Sequence, residues 1–179
     1  NLSDDYARFL WDGHLTVAGI HPFLHLPTYF IDNQILPQGI GPELFEKLNS
    51  PNYYTVYPPV CQAVFALAAG LFPTSIWGGV VVMKLFLLAC EMGTIWLMYR
   101  FGSATAERNK LSVLAYALNP LVILEITGNC HFEGAMIFFL LAGLLALRKS
   151  KIFQGAIYWA LATASKMLPI MLLPIVWRW

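Results

Sequence analysis

Apolar positions run almost unbroken through the later two thirds of this chain and are interrupted throughout the first third. Residues 1–57 contain Pro22, Pro27, Pro37, Pro42 and Pro51 among scattered charges, so no apolar run there is long enough to cross a membrane. Within that stretch Tyr6, Leu10 and His14 recur at a spacing of four, which predicts an amphipathic helix over 4–15 with Ser3 as its cap. A second short helix is expected over 40–48, with Pro42 and Glu43 in its first turn, followed by turn chemistry at Asn49-Ser50-Pro51-Asn52. Tyr57-Pro58-Pro59 then opens an apolar helix over about 60–72. Its thirteen residues reach roughly 20 Å, less than the ~30 Å hydrocarbon core, so it is expected to lie in the interface or dip into the bilayer.

Four longer apolar segments follow. Residues 76–99 form the first span, with Lys84 and Glu91 seven apart on one face, where they are expected to neutralise each other. Residues 111–127 form a second span, broken near Asn119-Pro120. Gly128-Asn129-Cys130-His131 is a tight polar link, and 132–147 is a third span. The fourth segment begins at 152 and is interrupted by Lys166 and Pro169. The pattern predicts an all-α, polytopic transmembrane helix bundle preceded by a long outer loop with amphipathic and juxtamembrane helices. Its divisions are a loop over 1–57, a juxtamembrane helix over 58–75 and an incomplete bundle over 76–179.

Composition agrees: 58% of residues are hydrophobic, 12% are charged and the mean hydropathy is +0.61. Soluble domains usually carry about 25% charge. The net charge of +1 conceals an asymmetry. Residues 1–57 hold Asp4, Asp5, Asp12, Asp32, Glu43 and Glu46 against Arg8 and Lys47, a net of −4; residues 58–179 carry +5. The basic links 100–110 and 148–151 belong in the cytoplasm by the positive-inside rule. Alternating spans then place 73–75, 128–131 and the acidic loop outside. Lys166, about 21 Å along its helix from Ile152, falls near the outer end, and Arg178 suggests a return inward. The first loop, the 128–133 link and Lys166 are thus expected at one membrane level. Tyr53, Tyr54, Tyr57 and the terminal tryptophans are expected as interface anchors. Cys61, Cys90 and Cys130, an odd and scattered set, are expected to serve packing. Starting without Met and ending in an apolar run, the chain is expected to be an excerpt of a longer protein. No basic, aromatic-interleaved patch points to nucleic acid.

The candidate chemistry lies at the outer level. Asp4-Asp5 suits either a solvated helix start or a general base acting on a hydroxyl. Arg8 stands one turn from Asp4, Asp5 and Asp12, and either pairs with them or binds a phosphate or sugar. Asp12-Gly13 is read as a turn or as part of that site. Glu133 begins a span, where a charge costs a few kcal/mol unless it is paired or wet. His131-x-Glu133 supplies only two metal ligands, so no metal or other cofactor is expected. Lys166 either snorkels to headgroups or holds a phosphate. As an alternative function, Lys84, Glu91, Glu125 and Lys166 inside spans would mark the path of an ion or solute through a transporter.

Ser3-Asp4-Asp5-x-x-Arg8-x-x-x-Asp12-Gly13, with Gly19-Ile20-His21-Pro22-Phe23, resembles the first outer loop of polytopic GT-C type glycosyltransferases. Tyr57-Pro58-Pro59 resembles their step into a juxtamembrane helix. Asn119-Pro120, Gly128-Asn129-x-His131-x-Glu133 and Lys166-x-x-Pro169 resemble later landmarks of bacterial mannosyltransferase-like members. The resemblance implies inverting transfer of a hexose, with mannose favoured, from a polyprenyl-phosphate carrier to a lipid or glycan acceptor. The reaction would take place at the outer face of a bacterial plasma membrane. It implies Asp4 or Asp5 as base, Arg8, His131 and Lys166 for the lipid phosphate, and Asp12, Asn129 and Glu133 for the sugar or acceptor.

Overall fold

The computed structural model describes residues 3–101 and 106–176, and among these the chain is all-helical. Trp177, Arg178 and Trp179, read above as anchors and an inward return, lie outside the described residues, as does the 102–105 part of the first basic link. The chain forms two compact units, Asn1–Phe86 and Leu87–Trp179.

The first unit is built around α1 (Asp5–Val17). The expected amphipathic helix is present, but it has no long solvent-facing side: every residue from Ala7 to Leu15 is buried. Its charged residues Arg8 and Asp12 are 2% and 0% exposed and satisfy each other inside, the pairing that their spacing allowed. Nor is Asp12-Gly13 a turn, since both residues lie within α1. Gly13 is where α1 meets α4 (Pro59–Leu71), and a Cβ there would fall 2.2 Å from the Phe65 carbonyl oxygen. Only glycine permits that approach. Phe9 stacks on Phe65 with centroids 4.6 Å apart, and Tyr57 meets both rings edge-on. Tyr57 is thus half-buried against these rings, whereas Tyr53 and Tyr54 are exposed.

Two short helices complete the unit. α2 (Pro27–Asp32) is absent from the sequence expectation, and α3 (Pro42–Phe45) is shorter than the expected 40–48. Each begins at a proline, whose fixed φ suits the first helical position. Trp11 of α1 lies against Phe30 and Phe45 from these two helices. The outer side of α4 keeps Leu67, Leu71 and the following Phe72 exposed, an apolar face on a helix about 20 Å long.

α5 (Ile76–Phe101), of 26 residues, is the one described helix long and apolar enough by itself to cross a membrane. Trp77, Val81, Leu85, Leu88, Met92, Trp96 and Tyr99 are all exposed and recur every three or four residues, one continuous apolar stripe. From Trp77 to Tyr99 it runs about 33 Å, close to the hydrocarbon thickness, with aromatic rings at both ends. Arg100 caps the far end over the Trp96 ring at 4.9 Å.

The second unit begins with a broken helix. α6 (Ala106–Ala117) stops before Asn119-Pro120, and α7 (Pro120–Val122) restarts and widens into a π-helical turn over Ile123–Gly128. The two arms bend by 45° and together pass for a span. The Asn119 side chain takes the Leu121 amide, so the break is capped rather than frayed. α8 (Glu133–Arg148) and α9 (Ile152–Ser165) form a hairpin whose contact is made by small residues. A Cβ on Gly143 would stand 3.4 Å from the Gly155 carbonyl oxygen, and one on Gly155 would strike Leu147. Such close backbones characterise helix packing in lipid. Beyond α9 the chain forms a 3-10 turn over Leu168–Leu172 and a last short helix, α10 (Leu173–Val176). Cys61, Cys90 and Cys130 are buried and are not joined in disulfides.

Candidate active site

The polar side chains of α1 fall into two sets. Asp5, Arg8 and Asp12, spaced three and four apart, form one stripe that faces the 49–57 loop. The Asn49 amide donates to Asp5 at 2.7 Å. Arg8 donates from Nε to Asp12 at 3.0 Å and from Nη1 to the carbonyls of Ser50 and Tyr53 at 3.0 and 2.8 Å. Asp12 also accepts from the Thr55 hydroxyl and, at 3.1 Å, from the Gln62 amide. Burial pushes the Asp12 carboxyl up, against the pull of Arg8, Thr55 and Gln62. Burial likewise raises the Tyr57 phenol. Thr55 and Gln62 carried no motif in the sequence. Their only signal was a polar side chain beside Tyr57-Pro58-Pro59 and another in the first turn of an apolar helix.

Asp4 lies outside this stripe. It is exposed, and among the described residues its carboxylate has no hydrogen-bond partner. The Ser3 hydroxyl, the expected cap, accepts from the Asp5 backbone amide at 3.3 Å and also donates to the Asp5 carboxylate at 2.8 Å. The neighbouring carboxylates are thus inequivalent. Asp5 is tied to Ser3 and Asn49, while Asp4 lines a cavity of about 660 Å³ together with Tyr6, His14, Glu43, Lys47 and Trp77. His14, singled out in the sequence only for its spacing, is 7% exposed, and burial lowers its pKa. Gly39, at φ +86°, leaves room for the His14 ring: a Cβ there would fall 2.1 Å from His14 Cε1.

The second unit gathers the remaining candidates around the 128–133 link. Cys130 occupies the left-handed region at φ 62°, which makes the turn tight. Asn129 is buried at the end of the π-helical turn, its amide bonded to the Leu124 carbonyl at 2.8 Å. His131 Nδ1 stands 3.0 Å from the Glu125 carboxylate. Glu133, at the start of α8, pairs with Lys166, which ends α9 in an extended conformation. The pair is half-exposed. Glu91 of α5 accepts from the Tyr116 hydroxyl at 3.1 Å.

Similarity to known proteins places the chain among GT-C-like mannosyltransferases, as an N-terminal part. The profile of one family, described as alpha-(1->6)-mannopyranosyltransferase, N-terminal domain, matches residues 2–179. The chain belongs to this family. It is 26% identical over 160 residues to alpha-(1->6)-mannopyranosyltransferase B of Corynebacterium glutamicum, covering 88% of this chain and 25% of that protein. It is 22% identical over 165 residues to alpha-(1->6)-mannopyranosyltransferase A of Mycobacterium tuberculosis, covering 85% of this chain and 32% of that one. The chain therefore spans between a quarter and a third of these relatives' length. No solved structure matches it.

Proposed function

We propose that this chain is the N-terminal part of a multi-pass membrane enzyme that transfers mannose from a polyprenyl-phosphate carrier to an acceptor hydroxyl at the outer face. Asp4 is the general base. It takes the acceptor proton as the acceptor oxygen bonds to the anomeric carbon from the face opposite the phosphate. The bond from that carbon to the phosphate oxygen breaks, its electron pair leaves with the polyprenyl phosphate, and the anomeric configuration inverts. The observation that supports this reading is the inequivalence of the two adjacent carboxylates: among the described residues Asp4 has no hydrogen-bond partner and lines a cavity, and Asp5 is held by Ser3 and Asn49.

The other residues divide by their surroundings. Arg8 and Asp12 hold the 49–57 loop, and with it the Asn49 amide that restrains Asp5. Glu133 presents the Lys166 ammonium toward the lipid phosphate, beside His131, and Asn129 serves the sugar. α5 crosses the bilayer, the bent α6–α7 pair forms a second span, and α8 and α9 form a third and fourth. Arg100 and the Arg148, Lys149 and Lys151 cluster support a cytoplasmic location for those links. The acidic loop accordingly faces outward.

The test uses the full-length protein in liposomes with radiolabelled polyprenyl-phosphate mannose and an alkyl mannoside. Asp4→Asn should lower turnover about 10²–10⁴-fold, the usual worth of a positioned base, with donor binding retained. Asp5→Asn should lower it much less. Full turnover in the Asp4→Asn enzyme overturns the assignment.

A further inference from the structure

The later part of α5 and α8 run side by side in the same direction. A Cβ on Gly134 would stand 3.2 Å from the Glu91 carboxylate, one on Gly93 would strike Phe138, and Arg148 donates to the Phe101 carbonyl at 3.3 Å. Their C-terminal ends therefore meet, and the turn from α8 into α9 lies at the same end. Four cations gather there: Arg100, Arg148, Lys149 and Lys151. Arg100 rests over the Trp96 ring and Arg148 holds the Phe101 carbonyl. Both stand in the last turn of a helix, where the dipole favours a cation. The same reasoning fails for Lys151. It is the N-cap of α9, where the dipole disfavours a cation, and no acidic residue in the first turn offsets it. Lys149 and Lys151 are exposed, and among the described side chains neither meets a carboxylate.

The backbone between these two lysines is closed on itself. Ser150 takes φ 58°, its amide donates to the Leu147 carbonyl at 2.8 Å, and the Lys151 amide donates to the Ala146 carbonyl at 2.9 Å. Directly after them Ile152 and Phe153 are 73% and 80% exposed. Bulky apolar side chains thus border uncompensated positive charge on one short turn. A soluble anion would gain nothing from the apolar pair. A phospholipid matches both parts, with its phosphate at the ammonium groups and its chains on the apolar side.

We propose that this end of the second unit binds an anionic phospholipid, with Lys149 and Lys151 at its headgroup and Ile152 and Phe153 against its acyl chains. Such binding requires that α8 and α9 span the bilayer, as proposed above, and involves no step of mannosyl transfer.

For the test, full-length protein in neutral detergent is titrated with phosphatidylglycerol carrying a fluorescent acyl chain, and separately with phosphatidylcholine carrying the same chain. Phosphatidylglycerol should bind saturably, more tightly than phosphatidylcholine, and should be released as salt is raised. The Lys149→Ala/Lys151→Ala variant should weaken its binding about thirtyfold, the loss of two cations near a lipid surface, and flatten the salt dependence. Phe153→Ser should weaken both lipids and leave the salt dependence intact. All three side chains are exposed, so the variants fold, and an unchanged melting temperature in phosphatidylcholine checks this. Equal binding of the two lipids by wild type overturns the inference, as does full phosphatidylglycerol binding by the double variant. Displacement of the lipid by an equal concentration of glycerol phosphate overturns it in favour of a soluble anion. Protein that selects phosphatidylglycerol but transfers no mannose keeps this site and refutes the reaction.

Discussion

The most consequential residue is Arg8. Its guanidinium fork reaches one carboxylate and two carbonyls from a fully buried position, so its removal strands Asp12 in the interior. Arg8→Ala should destabilise the first unit by about 3–5 kcal/mol, the usual cost of breaking a buried pair. Arg8→Lys should recover only part of this, because a point ammonium cannot reproduce the fork. Thermal unfolding in detergent measures both. His14 gives a pH signature. Its folded pKa lies below the ordinary 6.5, so the unfolded chain binds the proton first as pH falls. Stability should be full above about pH 6.5 and decline below it, and His14→Gln should flatten that slope. Little at this scale was legible beforehand. The sequence marked Asp4, Asp5, Arg8 and Asp12 as a group, but adjacent aspartates look alike until Ser3 and Asn49 are seen to claim one of them. The spacing of Arg8 and Asp12 allows them to pair, as they do, but does not reveal that the pair lies in the interior, where each is the reason the other is buried.

Elements were far easier to read. α4, α5, α8 and α9 start and stop within a residue or two of expectation, because long apolar runs bounded by Pro58-Pro59, Pro73, the 128–132 link and the 148–151 cluster leave few alternatives. α2 went unseen: His25 to Asp32 has no clear period, and only Pro27 marks its start. The all-round burial of α1 was hidden because it depends on α4 coming close at Gly13, and periodicity does not report helix separation. Gly13→Ala should therefore damage the first unit more than its one added methyl suggests, since the obstacle is the Phe65 backbone rather than a movable side chain. Circular dichroism and melting of the variant check this. On the α8–α9 hairpin, Gly155→Leu should separate the helices and disturb the Glu133–Lys166 pair, which cysteine crosslinking between positions 133 and 166 would register as a loss.

For the whole molecule, the split between an acidic first third and a basic remainder was visible in composition alone, and it underlies the proposed orientation. A cysteine at position 52, in the exposed loop, should react with an impermeant thiol reagent added outside intact cells, and one at position 149 should react only after permeabilisation. The reverse pattern would invert the topology. The proposed span, α5, ties the cavity to the bilayer. Trp77 both terminates its apolar stripe and borders the cavity beside Asp4, so if α5 spans the bilayer as proposed, the cavity mouth lies at one end of the span. Bilayers whose acyl chains are too short or too long for a span of about 33 Å should tilt that helix or draw it inward. Transfer rates should accordingly pass through a maximum as acyl length is varied, making membrane thickness a tuning parameter for the enzyme.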